Sequence, residues 1–194
     1  MTRSPLRLLT VVSLVLVVAG FASGVLADGK PVLRLHAYSV DLNAPRARTN
    51  GLEIAIERWS TPEEAARLRA ILAEKGPDAL LDALRSMKPR AGYIRPDTGI
   101  GWDIGFAQQA VAADGSRRII FATDRPISFW EAVNQPRSAD YQFTLGEVRL
   151  KADGTGEGKL VPAAKIDFNK EANTLEIENY QIEPVRLVDV KGEK

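Results

Sequence analysis

The segment Thr123–Arg137 concentrates side chains that could bind a ligand. Carboxylates, guanidinium groups, an amide and two aromatic rings follow one another there, at Asp124, Arg125, Phe129, Trp130, Glu131, Asn134 and Arg137. Loops presented by a rigid scaffold often carry binding sites, and Trp and Arg are frequent anchors of protein interfaces. We therefore predict that the loop 124–140 binds a ligand or a protein partner. In the alternative interpretation, the aromatic pair closes one end of the fold while the charged residues before it make local turn bonds.

Carboxylates in the same region permit a second chemistry. Glycoside hydrolysis needs two acids at a set separation, one acting as proton donor and one as base or nucleophile. Asp103, Asp124, Glu131 and Asp140 could supply such a pair if the strands that carry them are neighbours. A carboxylate-based hydrolase of an envelope polymer is therefore the alternative function.

Other catalytic chemistries lack their residues. The chain has no cysteine and one histidine, His36, which excludes disulfides, thiolate zinc sites, cysteine nucleophiles and multi-histidine metal sites. No Gly-x-Ser-x-Gly motif accompanies that histidine, so we expect it to be an ordinary surface or core residue. We predict no catalytic residue, no metal and no cofactor.

Two glycine-rich segments resemble binding motifs only superficially. Gly99, Gly101 and Gly105 lack the spacing of a dinucleotide-binding turn and alternate with the apolar residues of a strand. The segment 153–158 opens like a calcium loop, but Ala164 stands where an EF-hand requires its last carboxylate. The first segment therefore predicts a strand and the second a hairpin turn.

The first 27 residues have the composition of a targeting signal. Arg3 and Arg7 precede an apolar run, and small residues lead to Ala27 and then Asp28. This order is typical of a cleavable export signal, so we predict a signal peptide over 1–27, cleavage after Ala27 and a periplasmic or extracellular protein. The alternative is a single N-terminal membrane anchor, because the uncharged stretch is just long enough to span a bilayer.

The net charge argues against polyanionic partners. It is +1 for the whole chain, and the predicted signal carries two arginines and no acid, so the remainder is close to neutral. Charges of both signs are interspersed along it. We therefore expect neither nucleic acid nor, beyond the signal segment, a membrane as a partner.

Most of the remaining chain alternates with the period of a β-strand. Leu52, Ile54 and Ile56 alternate with polar residues, as do the apolar residues of 100–107, and Asp114–Gly115 predicts a hairpin turn. The apolar positions change from odd to even numbers along 141–150, which predicts a β-bulge at Gly146.

One helical segment interrupts the strands at about 61–88. Thr61, Pro62 and Glu64 form a capping box with proline in the first turn, and an apolar stripe follows. Gly76–Pro77 ends this helix, and Asp78 can cap a second one. The pattern therefore predicts a two-helix hairpin.

These features predict an α+β fold, mainly antiparallel β, in which about eight strands form a sandwich or a small barrel. Residues 28–194 constitute a single β-rich domain with the helical insertion. The predicted function is that of an exported, non-catalytic domain that binds its partner through the loop 124–140. Besides the hydrolase, a barrel that carries a lipid or small molecule in its interior is the remaining alternative.

Overall fold

The computed structural model describes residues 30–42, 47–125, 136–180 and 183–193, with only the main chain at 136 and 137. The strands are β1 (Leu33–Asp41), β2 (Arg48–Ile56), β3 (Gly92–Pro96), β4 (Trp102–Ile104), β5 (Phe106–Val111), β6 (Arg117–Asp124), β7 (Phe143–Leu150), β8 (Thr155–Asn169), β9 (Thr174–Asn179) and β10 (Val185–Gly192). The helices are α1 (Pro62–Lys75), α2 (Pro77–Arg85) and a 3₁₀ turn, Pro136–Asp140. The predicted signal segment 1–27 lies outside the described residues.

The strands form a mostly antiparallel, nearly closed barrel. Nine of them follow the order β4-β3-β2-β1-β10-β8-β7-β6-β5, and β9 pairs with β8 off this path. The two ends of the path are consecutive in sequence, because Gly105 alone separates β4 from β5. β4 pairs with β3 and β5 pairs with β6, so the segment 102–111 joins both edges of the sheet. Of the two predicted architectures, the barrel is confirmed.

Alternate residues of the strands fill the barrel. Inward side chains from most of the strands form one buried cluster, which includes Leu35, Ile54, Ile104, Phe121 and Leu187. Each of these is at most 2% exposed. Burial of such side chains stabilises a fold by about 1.5–3 kcal/mol each. This cluster supplies the main core of a chain that has no disulfide.

The two helices follow β2 and precede β3 in sequence, and they pack on the barrel against β6 and β8. Leu68 and Leu72 of α1, with Leu81 and Leu84 of α2, belong to a second buried cluster that also contains Phe143 of β7. The predicted capping box is present: the Thr61 hydroxyl accepts the Glu64 N–H at 3.2 Å, and the Glu64 carboxylate accepts the Thr61 N–H at 3.0 Å.

One detail of the helical prediction is wrong. Asp78 does not cap α2, because Gly76, at φ 85°, is the residue that precedes its first turn and no side chain caps that end. The Asp78 carboxylate instead accepts a hydrogen bond from Gln142 at 3.1 Å. Within the described residues, no helix is long and apolar enough to cross a membrane.

The predicted β-bulge at Gly146 is also wrong. Gly146 pairs regularly with Phe121 on one side and with Leu160 on the other. The register shift in the β7–β8 pair lies between Phe143 and Leu145, where β8 supplies the extra residue. The change of apolar positions from odd to even residue numbers has a different cause. β7 buries Phe143 under the helices at one end and Val148 inside the barrel at the other.

Candidate functional site

The first two residues of the predicted binding loop are held by intramolecular bonds. The Asp124 carboxylate accepts a hydrogen bond from Arg85 at 3.1 Å, at the end of α2. The Arg125 guanidinium donates to the main-chain carbonyls of Ser138 at 3.0 Å and Tyr141 at 3.2 Å. The main-chain N–H of Arg125 donates to the carbonyl of Gln142 at 2.8 Å. The bonds of Arg125 thus join the two ends of the loop.

Of the other predicted loop residues, the structure describes only the main chain of Arg137. Phe129, Trp130, Glu131 and Asn134 lie outside the described residues, and Arg137 is described by its main chain alone, within the 3₁₀ turn. The predicted binding role of the loop therefore stays a prediction.

The predicted carboxylates lie on neighbouring strands but bind different partners. The Thr123 hydroxyl donates to the main-chain carbonyl of Asp103 at 2.6 Å and lies 3.3 Å from a carboxylate oxygen of Asp124. The Asp103 carboxylate, however, binds Arg90 at 2.6 Å and is 69% exposed. It is thus not buried against Trp102, as a proton-donating acid would be. Asp140 lies exposed in the 3₁₀ turn, and Glu131 lies outside the described residues.

The remaining candidates occupy ordinary structural positions. His36 lies on the outer face of β1 with Nε2 2.9 Å from a Glu193 carboxylate oxygen. Asp153 accepts the N–H and the hydroxyl of Thr155 at 2.8 and 2.7 Å, in the turn between β7 and β8 that was predicted there. Within the described part of the chain, no cluster of acidic or histidine side chains is arranged to hold a metal ion.

A charged cluster on the outside of β1–β4 is the feature that sequence reasoning missed. Its centre is Glu53, whose side chain is 9% exposed. The Glu53 carboxylate binds the Arg34 guanidinium, accepts the Tyr93 hydroxyl at 2.9 Å and accepts Arg95 Nη2 at 2.5 Å. Burial opposes ionisation of Glu53, but the bonds from Tyr93 and Arg95 and the nearby positive charges outweigh it. The pKa of Glu53 therefore lies below its ordinary value.

The pairing of the strands places these side chains together. Glu53 of β2 is opposite Arg95 of β3 and opposite His36 of β1. The residues on either side of Glu53 point into the barrel, so Glu53 and its cross-strand neighbours point outward. Long side chains on adjacent strands reach one another at this spacing.

A second ion-paired group adjoins the first through Tyr93. Arg90 donates two hydrogen bonds to the Glu57 carboxylate, at 2.8 and 2.7 Å, and one to Asp103 at 2.6 Å. The bonds to Glu57 raise the pKa of Arg90 further above its ordinary value. The guanidinium carbons of Arg90 and Arg95 lie 5.2 and 5.7 Å from the centre of the Tyr93 ring, within the range of cation–π attraction.

These groups border an open recess of about 340 Å³, which we call the Arg90–Arg95 recess. It is lined by Arg90, Tyr93, Arg95, Gly101 and Asp103. Arg95 is 55% exposed. Among the described residues, only its Nη2 has a hydrogen-bond acceptor, so the other N–H groups of this guanidinium are available to a ligand. The recess therefore offers positioned cationic donors beside an exposed carboxylate.

A further recess, of about 430 Å³, lies at the outer side of the helices. Glu63, Glu64 and Arg67 of α1 line it together with Met87 and Lys88. Glu64 is already held by Arg58 at 2.8 Å and by the Thr61 cap. Two acidic and two basic side chains line this recess, so it has no excess of either charge, and Glu64 holds the start of α1.

A partial signal for the outward cluster exists in the sequence. Arg34, Glu53 and Arg95 each stand beside large aliphatic residues in strands, which predicts that they point away from the core. The order in which β1, β2 and β3 pair is needed to bring them together, and the alternation does not provide it. No known protein family, curated protein or solved structure matches this chain.

Proposed function

We propose that the protein is a non-catalytic binding domain that takes a carboxylate-bearing ligand in the Arg90–Arg95 recess. One observation carries the proposal: two guanidinium groups line the same recess beside the Tyr93 ring. Arg95 is fixed by the buried Glu53 carboxylate, and Arg90 by a bidentate pair with Glu57. Planar guanidinium groups match the geometry of carboxylates and are preferred where such groups are recognised.

The ion pairs hold the recess in its binding geometry before a ligand arrives. Glu53 fixes Arg95 and Tyr93, and Glu57 fixes Arg90. A ligand then loses less affinity to the ordering of side chains, which costs about 0.5–1.5 kcal/mol for each long side chain. A fixed site favours the recognition of one arrangement of charges.

Asp103 narrows the class of ligand. Its exposed carboxylate would repel a simple anion, but it can accept a hydrogen bond from a hydroxyl or ammonium group beside the ligand carboxylate. A sugar acid, a hydroxy acid or an amino acid has this combination. An acidic unit of an envelope polymer belongs to the same class, which fits the predicted export of the chain.

The other predictions about function are separate from this proposal. Export by the segment 1–27 and partner binding through the loop 124–140 remain proposals of their own. The hydrolase hypothesis is less well supported, because Asp103 and Asp124 are held by different arginines. The carrier hypothesis has little support either, because large side chains fill the interior and both recesses lie outside the barrel.

Binding of D-glucuronate and of D-glucose tests the proposal, since the two sugars differ mainly in the carboxylate. NMR titration of the purified protein should give saturable shifts with glucuronate, centred on Tyr93, and none with glucose. Arg95→Gln should weaken glucuronate binding about tenfold or more, the usual loss when a charged hydrogen-bond donor is removed. Arg34→Gln is the matched control, because Arg34 also binds Glu53 but does not line the recess. Equal responses to both sugars, or equal losses in both variants, would contradict the proposal.

The loop hypothesis has its own test. If the loop 124–140 binds a partner, Trp130→Ala and Arg137→Ala should each remove proteins that the wild-type chain retains in a pull-down, with the far-UV circular dichroism unchanged. Retention of the same proteins by all three chains would contradict this role. The outcome does not depend on glucuronate binding.

A further inference from the structure

The hairpin of β8 and β9 presents one edge of the sheet, formed by β9, with which no described strand pairs. Among the described residues, β9 pairs only with β8, through Ala164–Asn179 to Asn169–Thr174. Residues 174–178 are all exposed, so neither a helix nor a described loop covers this strand. The unpaired N–H and C=O groups along such an edge are a ready template for another strand.

One face of this hairpin is apolar and continues the surface beneath α1. On β8, Ile166 and Phe168 belong to the cluster packed against the helices. Their partners on β9 are Ile177 and Leu175, which are 58% and 50% exposed. The apolar surface that α1 covers on β8 is therefore uncovered on the next strand.

The hairpin is fixed to the helix. Arg69 of α1 lies over the Phe168 ring, with 5.4 Å from its guanidinium carbon to the ring centre. The same side chain donates to the main-chain and side-chain oxygens of Asn173 at 2.7 and 3.1 Å. These contacts fix the turn between β8 and β9 to α1.

The opposite face of the hairpin is acidic. Glu176 and Glu178 of β9 lie opposite Asp167 and Lys165 of β8. Lys165 is paired with Asp167 at 3.0 Å and is also attracted by Glu178, so one positive charge faces three carboxylates and this face keeps a net negative charge. Asn169 donates to Glu176 at 2.7 Å and Tyr141 to Glu178 at 2.5 Å, bonds that position these exposed carboxylates without removing their charge.

We infer that β9 binds an extended segment of a partner protein as an added strand, and that this segment alternates apolar with basic residues. Its apolar side chains would pack beside Leu175 and Ile177, and its Lys or Arg side chains would face Glu176 and Glu178. Main-chain hydrogen bonds supply affinity in this mode of recognition, and alternate side chains supply specificity.

A second copy of this chain fits the edge less well. If two β9 strands paired antiparallel with their apolar faces on the same side, Glu176 or Glu178 of one chain would stand opposite a glutamate of the other. Like charges directly opposite one another on adjacent strands are destabilising. The acidic face therefore selects a basic partner over a homodimer.

Two synthetic peptides, acetyl-VKVKVK-amide and acetyl-VEVEVE-amide, test the inference with the intact protein. The lysine peptide should slow hydrogen exchange of β9 amides and produce NMR contacts between its backbone and β9, whereas the glutamate peptide should not. Glu176→Lys with Glu178→Lys should reverse this preference, weakening the lysine peptide about tenfold, because two attractive cross-strand pairs become repulsive.

Glu157→Lys is the matched control, because Glu157 is also an exposed strand carboxylate, but on the part of β8 that β7 and β10 flank. This variant should keep the preference for the lysine peptide. Equal binding of both peptides, no protection of β9, or a concentration-dependent dimer that protects β9 without peptide would each overturn the inference. None of these outcomes bears on glucuronate binding at the recess.

Discussion

The hydroxyl of Thr123 on β6 donates a hydrogen bond of 2.6 Å to the main-chain carbonyl of Asp103 on β4. The N–H of Gly105 donates to the carbonyl of Ala122 at 3.1 Å immediately beside it. These two bonds lie where the two edge strands of the sheet, β4 and β5, meet. A side chain thus supplies part of the closure that main-chain pairing provides elsewhere in the barrel.

Thr123→Val should destabilise the barrel. The variant keeps the shape of the side chain, which is 2% exposed, but leaves the Asp103 carbonyl without its donor. We expect a loss of about 1–2 kcal/mol in the free energy of unfolding, measured by urea denaturation. Thr49→Val, at an exposed position of β2, is the control and should change stability by less than about 0.5 kcal/mol. Equal effects of the two substitutions would show that the hydroxyl of Thr123 does not stabilise the closure.

Gly146→Ala should destabilise the protein through one aromatic ring. A Cβ atom at Gly146 would lie 2.0 Å from Cζ of Phe121, which is buried inside the barrel. Overpacking of this kind costs about 1–3 kcal/mol. Phe121→Leu shortens the ring's reach, so the double variant should lose less stability than the sum of the single losses. A double-mutant cycle by denaturation measures this coupling, and strict additivity would contradict direct contact.

Gly146 also shows why the apolar pattern of β7 leads to a wrong prediction. An odd-to-even change of apolar positions predicts a bulge only if one face of the strand is buried along its whole length. In β7 the inner face is buried near Val148 and the outer face near Phe143, where the helical hairpin packs. A packing partner that is distant in sequence cannot be read from the strand itself, whereas the two helices are predicted correctly from their local periodicity and from the capping box of α1.

The outward cluster around Glu53 could be predicted only in part, for a related reason. Alternation predicts that Arg34, Glu53 and Arg95 point away from the core. Their convergence depends on β2 lying between β1 and β3, although α1 and α2 separate β2 from β3 in the chain. Strand order across an insertion is a property of the whole fold. The aromatic and polar residues of the loop 124–140, by contrast, are adjacent in sequence, so their proximity can be predicted without the strand order.

The predicted export signal gives a direct expectation for the mature chain. If the segment 1–27 is cleaved after Ala27, protein isolated from an exporting bacterial host should begin at Asp28. Mass spectrometry of the intact protein and of its N-terminal peptide measures this. Ala27→Lys should block processing, because signal peptidases require a small residue at that position. A wild-type chain that retains Met1 would contradict cleavage and favour the membrane anchor.

Glu53 should make the stability of the protein depend on pH in the acid range. Its pKa is lowered in the folded state from its ordinary value of 4.5, so the unfolded chain takes up the proton first as the pH falls. The stabilisation is therefore present above about pH 4.5 and is lost as the pH falls through the lower, folded-state pKa. Other carboxyl groups whose pKa is lowered in the folded state, such as those of Glu64 and Glu147, add to the same trend in the wild-type protein.

Glu53→Gln isolates the contribution of this one carboxylate. The variant should be about 2 kcal/mol less stable at pH 7, because the arginines lose a charged acceptor, and the difference from wild type should shrink as the pH falls below about 4.5. Urea denaturation at a series of pH values measures both quantities. Glu157→Gln makes the same charge change at an exposed position of β8 and should follow the wild-type curve. A difference that stays constant or grows as the pH falls would mean that ionised Glu53 does not stabilise the fold.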